Sequence, residues 1–258
     1  MNTWVRTTIE DRLATVTLDR PDVHNAFNDD FIRQLTETFT RLGEQALVAV
    51  VLRAEGRSFC AGADLNWMRQ MVDWTQEENE ADARRLGAML AAIRHCPYPV
   101  VARVHGAALG GGVGLVAAAD MAVALSAATF ALSEVKLGII PAVIAPYVLE
   151  KIGAGPARRY FLTGERFSAA EAHRIGLLHE VAESVEDLDV IIDQWTDALR
   201  QNGPQAVAAA KVLISEVDGY DWDRAATVTA RRIAERRVSA EGQEGMRAFL
   251  EKRRPAWV

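Results

Sequence analysis

The chain has little of several things. Two cysteines stand in 258 residues, Cys60 and Cys96, both in apolar surroundings and without metal-like spacing. That excludes a disulfide framework or a cysteine-rich zinc fold and suits a reduced intracellular protein. The five histidines, His24, His95, His105, His173 and His179, are scattered, and no two have the i, i+4 spacing of a helical metal site. Each reads as structural. No run approaches the ~20 apolar residues of a membrane span. Met1-Asn2-Thr3-Trp4-Val5-Arg6 carries no secretory or transit-peptide pattern, so a cytoplasmic location is expected. Basic excess is also missing. A formal charge of −6 gives no reason to expect nucleic acid or an anionic membrane as partner.

Half of the residues are apolar, enough for a sizeable core in one domain or a domain with an appendage. Apolar runs alternate with helical patterns over the first 135 residues or so. Trp4–Ile9 and Arg12–Leu18 predict a hairpin. Asn28 caps a helix with Phe31, Leu35, Phe39 and Leu42 on one side, ending at Gly43. A strand at 48–54, a helix from Glu77 to His95, a strand at 99–104 and short strands at Met121–Leu125 and Thr129–Leu132 follow. Such alternation argues for parallel pairing and an α/β fold. From Gly155 onward the pattern reads as helical: Ala157–Leu162, Ser168–Ile175, 185–200, a helix opening at Pro204, and two more at roughly 221–237 and 240–252. The segment 168–177 reads as a capped packing helix. Residues 190–258 form a helical C-terminal region beside a core of residues 1–189.

Two stretches carry the chemistry. His105-Gly106-Ala107-Ala108-Leu109-Gly110-Gly111-Gly112-Val113-Gly114 follows a strand and opens a small-residue helix. It lacks the Lys-Ser or Lys-Thr of a phosphate loop. Its glycines either permit close helix packing or present unpartnered backbone N–H groups to an oxygen carrying negative charge. After the strand at 48–54, Glu55-Gly56-Arg57-Ser58-Phe59-Cys60-Ala61-Gly62-Ala63-Asp64-Leu65 repeats the arrangement of strand, small-residue turn and helix start. Two such turns aimed at one carbonyl oxygen make an oxyanion hole. Further on, Glu134 stands among apolar residues. Desolvation there would raise its pKa into a range useful for proton transfer; the alternative is an ion pair with Lys136 on the same side of an extended segment. Cys60 beside the first turn is a weaker nucleophile candidate, with no histidine near it in sequence.

These two stretches, with Arg20–Phe27 upstream and Phe130–Pro141 downstream, resemble the crotonase (enoyl-CoA hydratase/isomerase) family from about Val5 to Trp257. The resemblance implies a spiral of ββα turns with a helical C-terminal region that builds trimers or dimers of trimers. It also implies an acyl-CoA substrate, coenzyme A being part of the substrate and no further cofactor being required. The oxyanion amides would be those of Ala63 and Gly111. Glu134 matches the family's second catalytic glutamate. The other glutamate, three residues past the second oxyanion glycine, is missing, and Gly114 stands there. Val23, Ala61, Asp64 and Leu65 match the segments that cradle coenzyme A, and Phe249 and Lys252 match the closing helix that reaches its nucleotide end.

Ala63–Met68 and Leu132–Tyr147 resemble the bacterial methylglutaconyl-CoA hydratase branch and its isohexenylglutaconyl-CoA relatives. That branch acts on a thioester branched at C3 and carrying a distal carboxylate. Gly114 would then leave room for the second C3 substituent, and Arg69, Arg84 or Tyr147 would meet the carboxylate. The implied reaction is reversible syn hydration between 3-methylglutaconyl-CoA and 3-hydroxy-3-methylglutaryl-CoA, in leucine degradation or isovaleryl-CoA formation. A double-bond isomerase with one carboxylate is the alternative. A scaffold that binds RNA or protein without turnover is disfavoured by the acidic composition and the intact Ala63, Gly111 and Glu134.

Overall fold

The computed structural model describes residues 3–219 and 221–258; Met1 and Asn2 of the N-terminal reading lie outside them. Strands β1 (Val5–Glu10) and β2 (Leu13–Leu18) form the expected antiparallel hairpin. Its two turn residues, Asp11 and Arg12, both have positive φ, as a tight hairpin connection requires. Helix α1 (Asp29–Leu42) is capped by Asn28, whose side chain accepts from the Phe31 amide, and it buries Phe31, Leu35, Phe39 and Leu42.

After α1 the chain winds. β3 (Ala49–Ala54), β4 (Ser58–Cys60), α2 (Leu65–Met71) and α3 (Gln76–Arg94) form one turn. β5 (Val100–Val104), β6 (Ala107–Leu109) and α4 (Gly111–Ala118) form the next. β7 (Met121–Leu125) and β8 (Thr129–Ala131) begin a third. The first strand of each turn joins one sheet, ordered β1-β2-β3-β5-β7-β10 with β10 at Glu180–Ala182; the second joins another, ordered β4-β6-β8-β9 with β9 at Arg166–Ser168. Pairing is parallel except for β1–β2 and β8–β9. This is the ββα spiral.

Strand periodicity explains the layering. Val50, Leu52, Val100, Ala102 and Val104 face the main core, whereas Val51, Val101 and Val123 face the other way and are covered by Leu188 and Ile192 of α8 (Val185–Arg200). Strands buried on both faces need continuous apolar runs, which is what 49–52 and 100–102 supply. α3 begins with a reciprocal capping box between Thr75 and Glu78 and buries Met89, Leu90 and Ile93.

The stretch after Gly155 is not wholly helical. α5 (Ala145–Ile152) leads into α6 (Ala154–Thr163); two short strands, β9 (Arg166–Ser168) and β10 (Glu180–Ala182), then stand before and after α7 (Ala169–Arg174), and each closes the edge of one sheet. The 189/190 division falls inside α8, which packs on the sheet and so belongs to the core. The helices that pack chiefly on one another are α9 (Pro204–Val217), α10 (Trp222–Val238) and α11 (Ala240–Leu250).

A polar cluster fastens α9 to the core. Asp120, just past α4, accepts from the Val100 amide and from Lys211 Nζ of α9, both at 2.7 Å. Its other oxygen lies 3.5 Å from Arg94 Nη1, and its carbonyl accepts from Lys151. Arg94, Asp120 and Lys211 are each less than a fifth exposed. Removing one partner from a mostly buried ion cluster leaves charges uncompensated. Asp120→Ala is therefore expected to lower stability by about 3 kcal/mol in urea unfolding and to quicken proteolysis at residues 201–203. An unchanged midpoint would mean that the cluster contributes no net stability.

Candidate active site

The site starts from strands too short to be read locally. β4 and β6 lie side by side in parallel, so the turns that follow them arrive at the same end of the small sheet. In the first turn Gly62 has φ +87°, and its carbonyl accepts from the Phe27 amide at 2.6 Å while Asp64 N–H donates to the Phe27 carbonyl. This leaves the intervening Ala63 N–H outside the pairing with Phe27. In the second turn Gly110 has φ +51° and donates to the Ala131 carbonyl of β8. Gly111 is the first residue of α4, where no helical carbonyl is in reach of its amide. Among the described residues neither the Ala63 nor the Gly111 N–H has a backbone acceptor. The turns touch: a Cβ on Gly62 would come within 2.9 Å of the Leu109 carbonyl oxygen and 3.6 Å of the Gly111 nitrogen.

The glycine run is a packing device, and it also leaves the Gly111 amide without a backbone acceptor. A Cβ on Gly111 would lie 2.4 Å from the Phe27 ring, and one on Gly112 would lie 2.3 Å from the Cys60 carbonyl oxygen.

Glu134 lies directly over the second turn. It opens a short 3-10 helix, Glu134–Leu137, closed by Gly138 in the left-handed region. A Cβ on Gly110 would sit 3.1 Å from Glu134 Oε1. The other oxygen, Oε2, is buried without a hydrogen-bond partner. Burial raises the carboxyl pKa above its ordinary 4.5, opposed only by its own backbone amide. The ion pair with Lys136 does not form: the segment is helical rather than extended, and Lys136 is exposed, its stem lying against Gly164. An unpartnered, desolvated carboxylate beside two free amides is poised to exchange a proton with a group held by those amides.

Gly114 is not beside open space. A Cβ there would fall 2.3 Å from Ile144 Cγ2 and 3.7 Å from Leu90 Cδ1. The expectation that Gly114 leaves room for a second substituent at C3 is corrected: Ile144, buried ahead of α5, already fills that volume.

The remaining residues divide. Asp64 is consumed structurally. Its carboxylate caps α2 through the Asn66 and Trp67 amides and pairs with Arg20 at 2.8 Å. Burial works against its charge, but those two amides and Arg20 together hold its pKa below the usual carboxylate range. Ala61 donates to the His24 carbonyl; Val23 is half-buried, and Leu65 is exposed on the rim. Phe249 and Lys252, both exposed, stand at the end of α11, which packs on α9 and α10. Arg69 bonds Asn66 and Arg84 pairs with Glu80, both on exposed helix faces. Tyr147, half-buried in α5, has its pKa raised by burial, with Arg94 lowering it and Glu150 raising it. The Cys60 thiol is fully buried and pushed up to about 12 by desolvation, which removes it as a nucleophile.

Sequence reasoning missed Phe27 as the element aligning the first turn, Arg20 as the partner of Asp64, and Ile144. In the sequence only the resemblance at Arg20–Phe27 and the Asn28 cap after it pointed to that loop. Among the described residues no group of histidine, cysteine or carboxylate side chains could hold a metal, and no helix is long and apolar enough to cross a membrane.

Comparison with known proteins agrees with this geometry. Residues 8–258 match the enoyl-CoA hydratase/isomerase family. The crystal structure of an enoyl-CoA hydratase from Shewanella pealeana superposes with a TM-score of 0.95 at 42% identity, covering 99% of this chain and 96% of that one. The enoyl-CoA hydratase ACTT6 of Alternaria alternata is 34% identical over 91% of this chain and 77% of its own length. A mitochondrial Delta(3,5)-Delta(2,4)-dienoyl-CoA isomerase of Dictyostelium discoideum is 30% identical over 94% of this chain and 86% of its own. The chain belongs to the enoyl-CoA hydratase/isomerase family, the crotonases, and is an enzyme of that family.

The state of Glu134 has a pH signature. Folding raises its pKa above that of a free glutamate, so the native state holds the proton more tightly than the unfolded one. Stability is then lost as pH rises from the free value through the folded one, and nothing is lost below the free value. Glu134→Gln is expected to melt a few degrees higher than native at pH 7, the gap closing below about pH 4. A variant less stable at pH 7 would mean that the carboxylate is held by favourable contacts.

Proposed function

We propose that this enzyme is a 3-methylglutaconyl-CoA hydratase, equally a 3-hydroxy-3-methylglutaryl-CoA dehydratase. The observation that carries the reading is the buried, unpartnered Glu134 oxygen beside the free amides of Ala63 and Gly111. In the dehydration direction the thioester oxygen accepts from both amides, and Glu134 takes a proton from C2. The electrons move into the thioester enolate, whose oxygen the amides stabilise; one such donor is worth roughly 2.7–4 kcal/mol of barrier. The enolate collapses, the C3–O bond breaks, and Glu134 returns the proton to the departing hydroxyl, releasing water. Hydration reverses these steps on the same face of the substrate.

The branched, carboxylated substrate is supported by the motif resemblance at 63–68 and 132–147 and by the single carboxylate. Arg69 and Arg84, on the two helices after the first turn, are the proposed partners of the distal carboxylate. The CoA cradle is proposed at Val23, Ala61, Asp64 and Leu65, with Phe249 and Lys252 serving a neighbouring subunit. A homotrimer or dimer of trimers is part of the reading. The exposed apolar side chains Ile214, Trp222, Val238, Phe249 and Leu250 on α9–α11 support it. The buried free thiols of Cys60 and Cys96 suit a cytoplasmic enzyme.

One observation favours a second reading. Ile144 at Gly114 leaves one carboxylate, which suffices for a double-bond isomerase that moves a proton between two carbons. Incubation of 3-methylglutaconyl-CoA in heavy-oxygen water separates the two: hydration places label at C3, and isomerisation places none. Glu134→Gln is expected to slow turnover by about 10²–10⁴-fold. Intact turnover of this and related branched thioesters in that variant would overturn both readings.

A further inference from the structure

Gly114 lies inside α4 in ordinary right-handed helix. Nothing in the main chain there asks for glycine, which is the weakest helix former after proline. Gly111 and Gly112, by contrast, meet an aromatic ring and a backbone carbonyl. The obstacle at 114 is one side chain. Ile144 Cγ2 stands 2.3 Å and its Cβ 3.0 Å from where a Cβ would be. Ile144 is 3% exposed. Its β-branch limits rotation about χ1, and Leu90 of α3 closes the same volume from the other side. The contact is at the branch point, so no swing of a flexible tip relieves it.

We propose that Ile144 determines the one-carboxylate character of this active site, by occupying the volume that a glutamate at position 114 would need. The inference rests on the acyl-CoA reading above, because it concerns which groups reach the substrate's C3. Glu134 must move the proton and manage the hydroxyl unaided as long as Ile144 is in place. Position 114 therefore accepts a side chain only where position 144 has given up its own.

The test uses the full-length enzyme and four forms: native, G114E, I144A and the double variant G114E/I144A. Thermal unfolding without substrate reads the steric half. Native and I144A are expected to fold, G114E to lose several degrees or fail to fold, and the double variant to melt near I144A. If G114E melts like native, or if the double variant falls by the sum of the two single losses, Ile144 is not the obstacle and the proposal is overturned. Hydration of unbranched crotonyl-CoA reads the catalytic half. The double variant is expected to exceed I144A by at least ~10-fold, the low side of what a positioned acid or base contributes. Coupled stability without that gain also overturns the proposal, since the filled volume would then not be what keeps a second carboxylate from acting. Neither result bears on the Glu134 reading, which fails separately if native enzyme turns over no branched acyl-CoA or if Glu134→Gln leaves turnover unchanged.

Discussion

The whole site depends on β4 and β6 lying side by side in parallel. A pair of three-residue strands contributes little stability, yet it decides where two turns end. Each strand hands its chain to a helix within a few residues, so the last amides before helical bonding begins are left facing the same space. The contact of Gly62 with the Leu109 carbonyl sets how far apart they are. The larger sheet, with strands buried on both faces, supplies the rigidity that the small one lacks. The Phe27 loop ties the first turn to α1 through alternating hydrogen bonds. In the proposed reading these amides form an oxyanion hole, which needs donors that do not reorganise as charge develops, and both are held by close-packed backbone.

Glu134 is the counterpart of this rigidity. It sits on a single turn of 3-10 helix that ends in exposed Leu137 and is followed by exposed Ile139 and Ile140. Its carboxylate is aimed back at Gly110, with one oxygen lacking any partner. A group left desolvated without compensation is a poor choice for stability and a useful one for proton transfer at carbon, where the base must be stronger than a hydrated carboxylate. The surroundings are nearly free of competing charge: Lys136 points elsewhere, and Asp64 is neutralised by Arg20 and two helix amides.

What could be read from residue order alone followed the length scale of each signal. α1 and α3 run for several turns with apolar faces, and β3, β5 and β7 are continuous apolar runs, so all were legible. β4, β6, β9 and β10 are three residues long, as is β8, and only β8 was picked out, from the apolar run Phe130–Leu132. Three residues seldom show a period, and a neighbour decides whether they pair. β9 and β10 therefore hid inside a stretch that looked helical. At the site, the glycine turns and Glu134 were picked out from residue types, and the family resemblance supplied the roles proposed for them. The contacts around them were not legible. Glu134 reaches Gly110 across 24 positions, and Ile144 reaches Gly114 across 30. Gly114 on its own suggested emptiness, because a missing side chain says nothing about which distant residue fills its place.

The four glycines of the second turn differ in how a lineage could ever lose them. At 110 the backbone angle and the carboxylate above it forbid a side chain; at 112 the obstacle is main chain and cannot mutate away. At 111 the obstacle is Phe27, a core ring. Only at 114 is the barrier a single aliphatic side chain on a separate segment, removable by one base change or two elsewhere in the gene. On the proposal above, a second carboxylate could enter at position 114 by a short route, but only in one order, with the isoleucine yielding first.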